Sequence, residues 1–253
     1  MRSAPVGFQC PECVGEAART VRAPVTVAGS SMIQRPYVTY MLIGITAAAF
    51  LLQFAVGVNG VAEDYGMWPY GIVIYGEWWR LLTAAFLHGS WLHLAFNMYV
   101  LFVLGPTLER VLGHVRFIVL YLVAALGGAV ASYTFSDPRS VSVGASGAIF
   151  GLMGAVLVAG RRMRWDITQV LILLGINVVI GFLSPDVDWR AHFGGLVAGA
   201  MVAAVFVWTP SPFRSSRVLW QVLGILGILA LLVAITVWRT GQLGSEVALL
   251  GLA

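Results

Sequence analysis

Among the polar side chains within the long apolar stretches of this 253-residue chain, four could do chemistry together: His93, Asn97, Ser146 and His192. A serine hydroxyl is a weak nucleophile until a base takes its proton, and neutral histidine does this near pH 7. Ser146 and His192 are therefore a candidate nucleophile and base for acyl transfer. Such chemistry also needs donors aimed at the developing oxyanion, each typically worth about 10²–10³ in rate. The Ser146 backbone N–H, the Asn97 amide and the His93 ring can each donate. Gly144 and Gly147 flank the serine and would free the backbone to bring that N–H to a carbonyl. His93 and Asn97 are four apart, on one helical face, and His88 lies just before them. No aspartate within the apolar stretches is available to orient His192, so a dyad is expected instead of a triad.

These residues need elements to carry them. The chain is 59% apolar and 10% charged, with a mean hydropathy of +0.88, against about 45–50% and about 25% in soluble domains. That excludes a soluble fold and disorder, and two cysteines exclude a disulfide scaffold. The first 36 residues are polar, with prolines at Pro5, Pro11, Pro24 and Pro36 and no apolar core of a signal peptide. Seven apolar stretches follow, near Tyr37–Val58, Leu92–Val111, Phe117–Phe135, Val143–Gly160, Ile167–Leu183, Ala191–Trp208 and Val218–Trp238. Each has about the length a helix needs to cross a bilayer. An all-α, polytopic membrane bundle is expected, because an open sheet edge cannot exist in lipid. The long, aromatic connection from Asn59 to Trp91 is expected to lie in the outer interface.

All 15 basic residues are arginine. They are dispersed, which argues for membrane topology over nucleic-acid binding. With the N-terminus inside, eleven lie on the inner side: Arg2, Arg19, Arg22, Arg35, Arg110, Arg116, Arg161, Arg162, Arg164, Arg214 and Arg217. Four lie outside: Arg80, Arg139, Arg190 and Arg239. This bias predicts a cytoplasmic N-terminus and an external C-terminus in the cell membrane. The second, fourth and sixth spans then all run inward and present their polar residues at one depth, near the outer face. Interhelical hydrogen bonding alone, worth only about 0.6 kcal/mol on average, accounts poorly for that coincidence; function accounts for it better. Gly147 with Gly151, and Gly195 with Gly199 and Ala191, form small-residue faces for close packing of the fourth and sixth spans.

In this arrangement the chain resembles the rhomboid family of intramembrane serine proteases. Trp79-Arg80 matches a pair in the family's first loop. His88, His93 and Asn97 fit HxxxxHxxxN; Gly105, Glu109 and Gly113 fit GxxxExxxG. Gly144 to Gly147 fit GxSG, and His192, Gly195 and Gly199 fit a loose HxxGxxxG. The resemblance covers about Tyr37 to Trp208. It implies Ser146 as nucleophile, His192 as base, and His93 and Asn97 as oxyanion stabilisers supported by His88. Phe150 stands where some relatives carry a tyrosine stacked on the histidine; phenylalanine keeps the stacking face. The implied substrates are other membrane proteins, cut in or near transmembrane helices that unwind locally, with a small side chain beside the cut. A polar cavity open to the outer face would supply water. No cofactor or metal is implied. Three parts are expected: a polar tail (1–36), a six-helix core (37–208), and a final connection, extra helix and short external tail (209–253).

Other features read more plainly. Trp79-Arg80 suits either an interfacial anchor or loop shaping. Glu109-Arg110 suits a local ion pair or cap, His114 a surface histidine, and Asn177 an interhelical hydrogen bond. Cys10-Pro11-Glu12-Cys13 has the spacing of half a zinc site, lacking the other two ligands. Three rival functions fit the residues less well. A metal centre on His88, His93 and His192 lacks HExxH or a nearby carboxylate. A non-catalytic rhomboid-like binder would usually lack the serine or the histidine. A transporter would need an inverted repeat.

Overall fold

The computed structural model describes residues 2–3, 7–20, 25–29, 33–184, 187–209 and 214–251. Pro5, Arg22, Pro24 and the stretch 210–213 lie outside the described residues. In the tail, β1 (Arg2–Ser3) pairs antiparallel with β2 (Phe8–Gln9), and α1 (Pro11–Thr20) follows. Seven long helices then occupy the seven expected stretches: α2 (Tyr37–Val56), α6 (Trp91–Leu112), α7 (His114–Phe135), α8 (Ser146–Met163), α9 (Thr168–Leu183), α10 (Trp189–Trp208) and α11 (Arg214–Leu250). Between α2 and α6 the aromatic connection folds into α3 (Val58–Tyr65), α4 (Pro69–Tyr75), α5 (Arg80–Thr83) and a 3₁₀ turn at Ala84–Phe86. The chain is an all-α, multi-pass membrane protein.

Among the described residues five helices, α2, α6, α7, α10 and α11, are long and apolar enough to cross a membrane by themselves. α8, rich in glycine and with Arg161 and Arg162 in its last turn, is less apolar; it is the central helix, with twelve of its eighteen residues buried. α9 is short and packs only thinly on α8 and α10, with Leu171, Ile172, Ile176, Val179 and Leu183 exposed.

Glycine makes the central contact. A Cβ on Gly195 would sit 2.0 Å from the Gly147 carbonyl oxygen, and one on Gly199 would sit 2.2 Å from that of Gly151. α8 and α10 therefore meet backbone to backbone, as the small-residue faces predict. α7 closes the third side in the same way, with Ala124 against Gly151 and Ala198 against Gly127.

Of the two readings of Glu109, ion pair or cap, the structure takes the cap. Glu109 does not pair with Arg110; it is fully buried and accepts from the backbone N–H groups of Val38 (2.9 Å) and Thr39 (2.8 Å) and from the Thr39 hydroxyl (2.6 Å). It caps α2, whose own N-cap, Pro36, offers no side chain for the purpose. His114 has a side chain 37% exposed, as a surface histidine would, and its Nδ1 also lies 2.5 Å from the Glu109 carboxylate. Asn177 bonds within its own helix, to the Leu173 carbonyl at 2.8 Å, not to a neighbouring one. The final helix also outruns its expected end near Trp238, continuing to Leu250 because that segment finds apolar and polar partners on α4 and at Tyr133 of α7.

Candidate active site

Ser146 is the first residue of α8. The first intrahelical bond runs from the Ile149 N–H to the Ala145 carbonyl (3.0 Å), so the amides of Ser146, Gly147 and Ala148 precede the ladder and point out of the helix N-terminus. That end favours negative charge. Gly144 has a φ of +140°, which side chains rarely tolerate. Its N–H donates to the Ala84 carbonyl at 2.9 Å. A Cβ there would lie 2.7 Å from His93 Cε1 and 3.6 Å from Ser146 Oγ. The glycine thus lets the His93 imidazole come up beside the serine. Gly147 does not supply a flexible joint, as the sequence suggested. It is helical, and a Cβ there would lie 3.4 Å from the Gly128 Cα and the Ala191 carbonyl oxygen, an ordinary contact distance.

His192 arrives from α10. Its ring stacks on Phe150, one turn after Ser146, with centroids 4.2 Å apart and planes 12° apart. The Gly147–Ala191 contact joins the residue after the serine to the residue before the histidine. Among the described residues no hydrogen bond links the Ser146 and His192 side chains; the stack sets the His192 ring against Phe150, one helical turn after Ser146. Such bonds are often loose in unliganded sites.

His93 N–H donates to Ser90 Oγ (3.2 Å), the N-cap of α6, and Asn97 Nδ2 donates to the His93 carbonyl (2.9 Å). One of the two Asn97 amide hydrogens is therefore used within the helix and the other is available. His88 is wholly buried, edge-on to His93 at 4.9 Å, and neither ring nitrogen has a partner among the described residues.

Two supports escaped sequence reasoning. Gln53, on α2 and 1% exposed, grips the His88 backbone from both sides: it accepts from the His88 N–H (3.1 Å) and donates to its carbonyl (3.0 Å). An amide inside an apolar stretch was the available signal. Asp188 is the N-cap of α10, four residues before His192. Its carboxylate accepts from the Ala191 N–H (3.1 Å) and from the Ser132 hydroxyl. Its backbone carbonyl accepts from the His192 backbone N–H (3.2 Å). Asp188 stands a turn before His192, outside the apolar stretches, and among the described residues its carboxylate makes no hydrogen bond to the ring.

The first-loop pair divides its work. Trp79 is 51% exposed, as an interfacial anchor would be. Arg80 is 3% exposed and shapes the loop, donating to the Glu63 (2.7 Å) and Gly66 (3.0 Å) carbonyls and to Glu77 (2.6 Å). Among the described residues no three His, Cys, Asp or Glu side chains group as a metal site would require. A cavity of about 520 Å³ lies far from Ser146, between Ala204, Val205, Trp208, Thr209 and Trp220.

A Rhomboid domain family model matches residues 75–209. The chain is 38% identical over 181 residues to Rhomboid protease GluP of Bacillus subtilis, covering 67% of this chain and 35% of that one. It is 40% identical over 148 residues to RHOMBOID-like protein 5 of Arabidopsis thaliana (55% and 47%). It is 26% identical over 208 residues to Rhomboid protease AarA of Providencia stuartii (70% and 74%). The matches to the first two span about a third to a half of those relatives' length.

Proposed function

The chain belongs to the rhomboid family, and on that premise we propose that it is an intramembrane serine endopeptidase using a Ser146–His192 dyad. The observation that carries this reading is the Phe150–His192 stack one turn from Ser146, on helices locked together by Gly147, Gly151, Gly195 and Gly199. His192 takes the hydroxyl proton as Ser146 Oγ attacks the scissile carbonyl carbon, and the electron pair moves onto the carbonyl oxygen. The Ser146 N–H at the α8 N-terminus, the His93 ring and the free Asn97 hydrogen stabilise that oxyanion. The imidazolium then gives its proton to the leaving amine as the C–N bond breaks. Water repeats the cycle on the acyl-enzyme and restores Ser146. His88 supports the site, with Gly144 holding the space for His93.

The substrates are membrane proteins whose transmembrane helices unwind locally near the outer face. Glycine and helix-breaking residues lower that cost. The thin packing of α9 makes its side of the bundle the route by which such a helix reaches Ser146. Residues 37–208 form the catalytic core, the N-terminus is cytoplasmic, the C-terminus external, and the location is the cell membrane.

The test is cleavage of a transmembrane reporter by purified protein. Ser146→Ala and His192→Ala are expected to lose cleavage and labelling by a serine-directed fluorophosphonate, while a chelator changes neither. Cleavage that persists in Ser146→Ala overturns the dyad; loss on chelation alone replaces it with a metal mechanism.

A further inference from the structure

At about 1.5 Å per residue, the 37 residues of α11 extend about 55 Å, well beyond the about 30 Å of hydrocarbon. The stretch from Arg239 to Leu250 therefore projects past the span, and it does not hang free. Leu243 (0% exposed) and Val247 (3%) are buried in a cluster with Met67, Tyr70, Ile72, Leu81, Ala84 and Tyr133. Polar contacts follow the same face. The Thr240 and Tyr133 hydroxyls are 2.8 Å apart, and the Tyr70 hydroxyl donates to Glu246 at 3.0 Å. Burial and the Glu246 carboxylate push the Tyr70 phenol above its ordinary range, which keeps it a donor.

The module gripped by α11 is itself joined by backbone to the segment entering α8. Met67 and Ser142 exchange both N–H···O bonds, each 2.9 Å, and Gly144 donates to the Ala84 carbonyl at 2.9 Å. Met67 and Ala84 belong to the cluster that Leu243 and Val247 complete. A continuous set of contacts thus runs from the outer end of α11, through the α4–α5 module, to the residue two before Ser146.

We propose that the outer end of α11 is a clamp that holds the α4–α5 module and thereby positions the Gly144–Ser146 backbone. Leu243, Val247 and Glu246 are positioning residues; they touch neither substrate nor the reacting atoms. This role rests on the reading of Ser146 as nucleophile and gives the seventh helix a part in presenting it.

Hydrogen–deuterium exchange at the Ser142 and Gly144 amides, measured on the full chain in lipid nanodiscs, tests the clamp without using activity. Fluorophosphonate labelling of Ser146 on the same samples tests its consequence. Leu243→Ala with Val247→Ala is expected to speed exchange at both amides by about tenfold or more and to slow labelling. Tyr70→Phe with Glu246→Gln is the gentler pair, expected to move both readouts the same way by a few-fold, about what one lost hydrogen bond is worth. Val237→Ala, on the exposed face of α11, leaves both unchanged. Should the apolar pair fail to fold, the gentler pair decides. Unchanged exchange at Ser142 and Gly144 overturns the clamp. Faster exchange with no labelling of Ser146 even in the unaltered chain leaves the clamp standing and removes the nucleophile reading instead.

Discussion

Gly144 and Asp188 show how narrowly single residues set the chemistry. Gly144→Ala must either strain a φ of +140° or push His93 away, since its methyl would meet Cε1 at 2.7 Å. Losing a stabilising donor typically costs about 10²–10³ in rate, so cleavage should fall by about that factor while the circular dichroism spectrum holds. Asp188 separates two roles. Asp188→Ala removes both the cap and the charge, and should cost about 1 kcal/mol of stability. Asp188→Asn keeps an oxygen for the Ala191 N–H and should leave thermal stability near that of the unaltered chain. A fall in kcat for the asparagine variant at unchanged stability and KM assigns the charge to His192; equal kcat confines Asp188 to capping.

Elements meet here through absent side chains and through one buried carboxylate. Gly195→Ala and Gly199→Ala place a methyl 2.0–2.2 Å from a carbonyl oxygen across the interface, so α8 and α10 must separate. Overpacking of this kind typically costs about 1–3 kcal/mol. Gly227→Ala, where nothing lies within 4 Å of the added methyl, is the matched control and should not lower the unfolding temperature in detergent. Glu109→Ala strands the N–H groups of Val38 and Thr39, at about 1–3 kcal/mol for each unsatisfied group. Its expected signature is fraying at the start of α2, read as faster amide exchange at those two residues.

The molecule as a whole carries a built-in topology reporter. Its two cysteines, Cys10 and Cys13, are both free and lie in the N-terminal tail. Backbone N–H groups of Cys13 and Glu12 draw the Cys10 thiol below its ordinary range, which favours the reactive thiolate. An impermeant maleimide should therefore leave intact cells unlabelled and react once they are permeabilised. Labelling of intact cells would invert the proposed orientation and move Ser146 to the inner face.

Sequence alone determined where the long apolar helices lie, because a bilayer imposes length and apolarity that can be counted without a fold. It also singled out His93, Asn97, Ser146 and His192, because a polar group in lipid is conspicuous wherever it occurs. Tertiary structure decided the pairings. The reach of Glu109 to α2, of Gln53 to His88, of Asp188 to Ser132 and of Glu246 to Tyr70 joins segments 35 to 176 positions apart. No periodicity records such a choice, since a donor carries no mark of which distant acceptor the packing will bring to it. The same holds for the site itself, where backbone contact between glycine faces, and not any local preference, brings an imidazole and a hydroxyl into one neighbourhood.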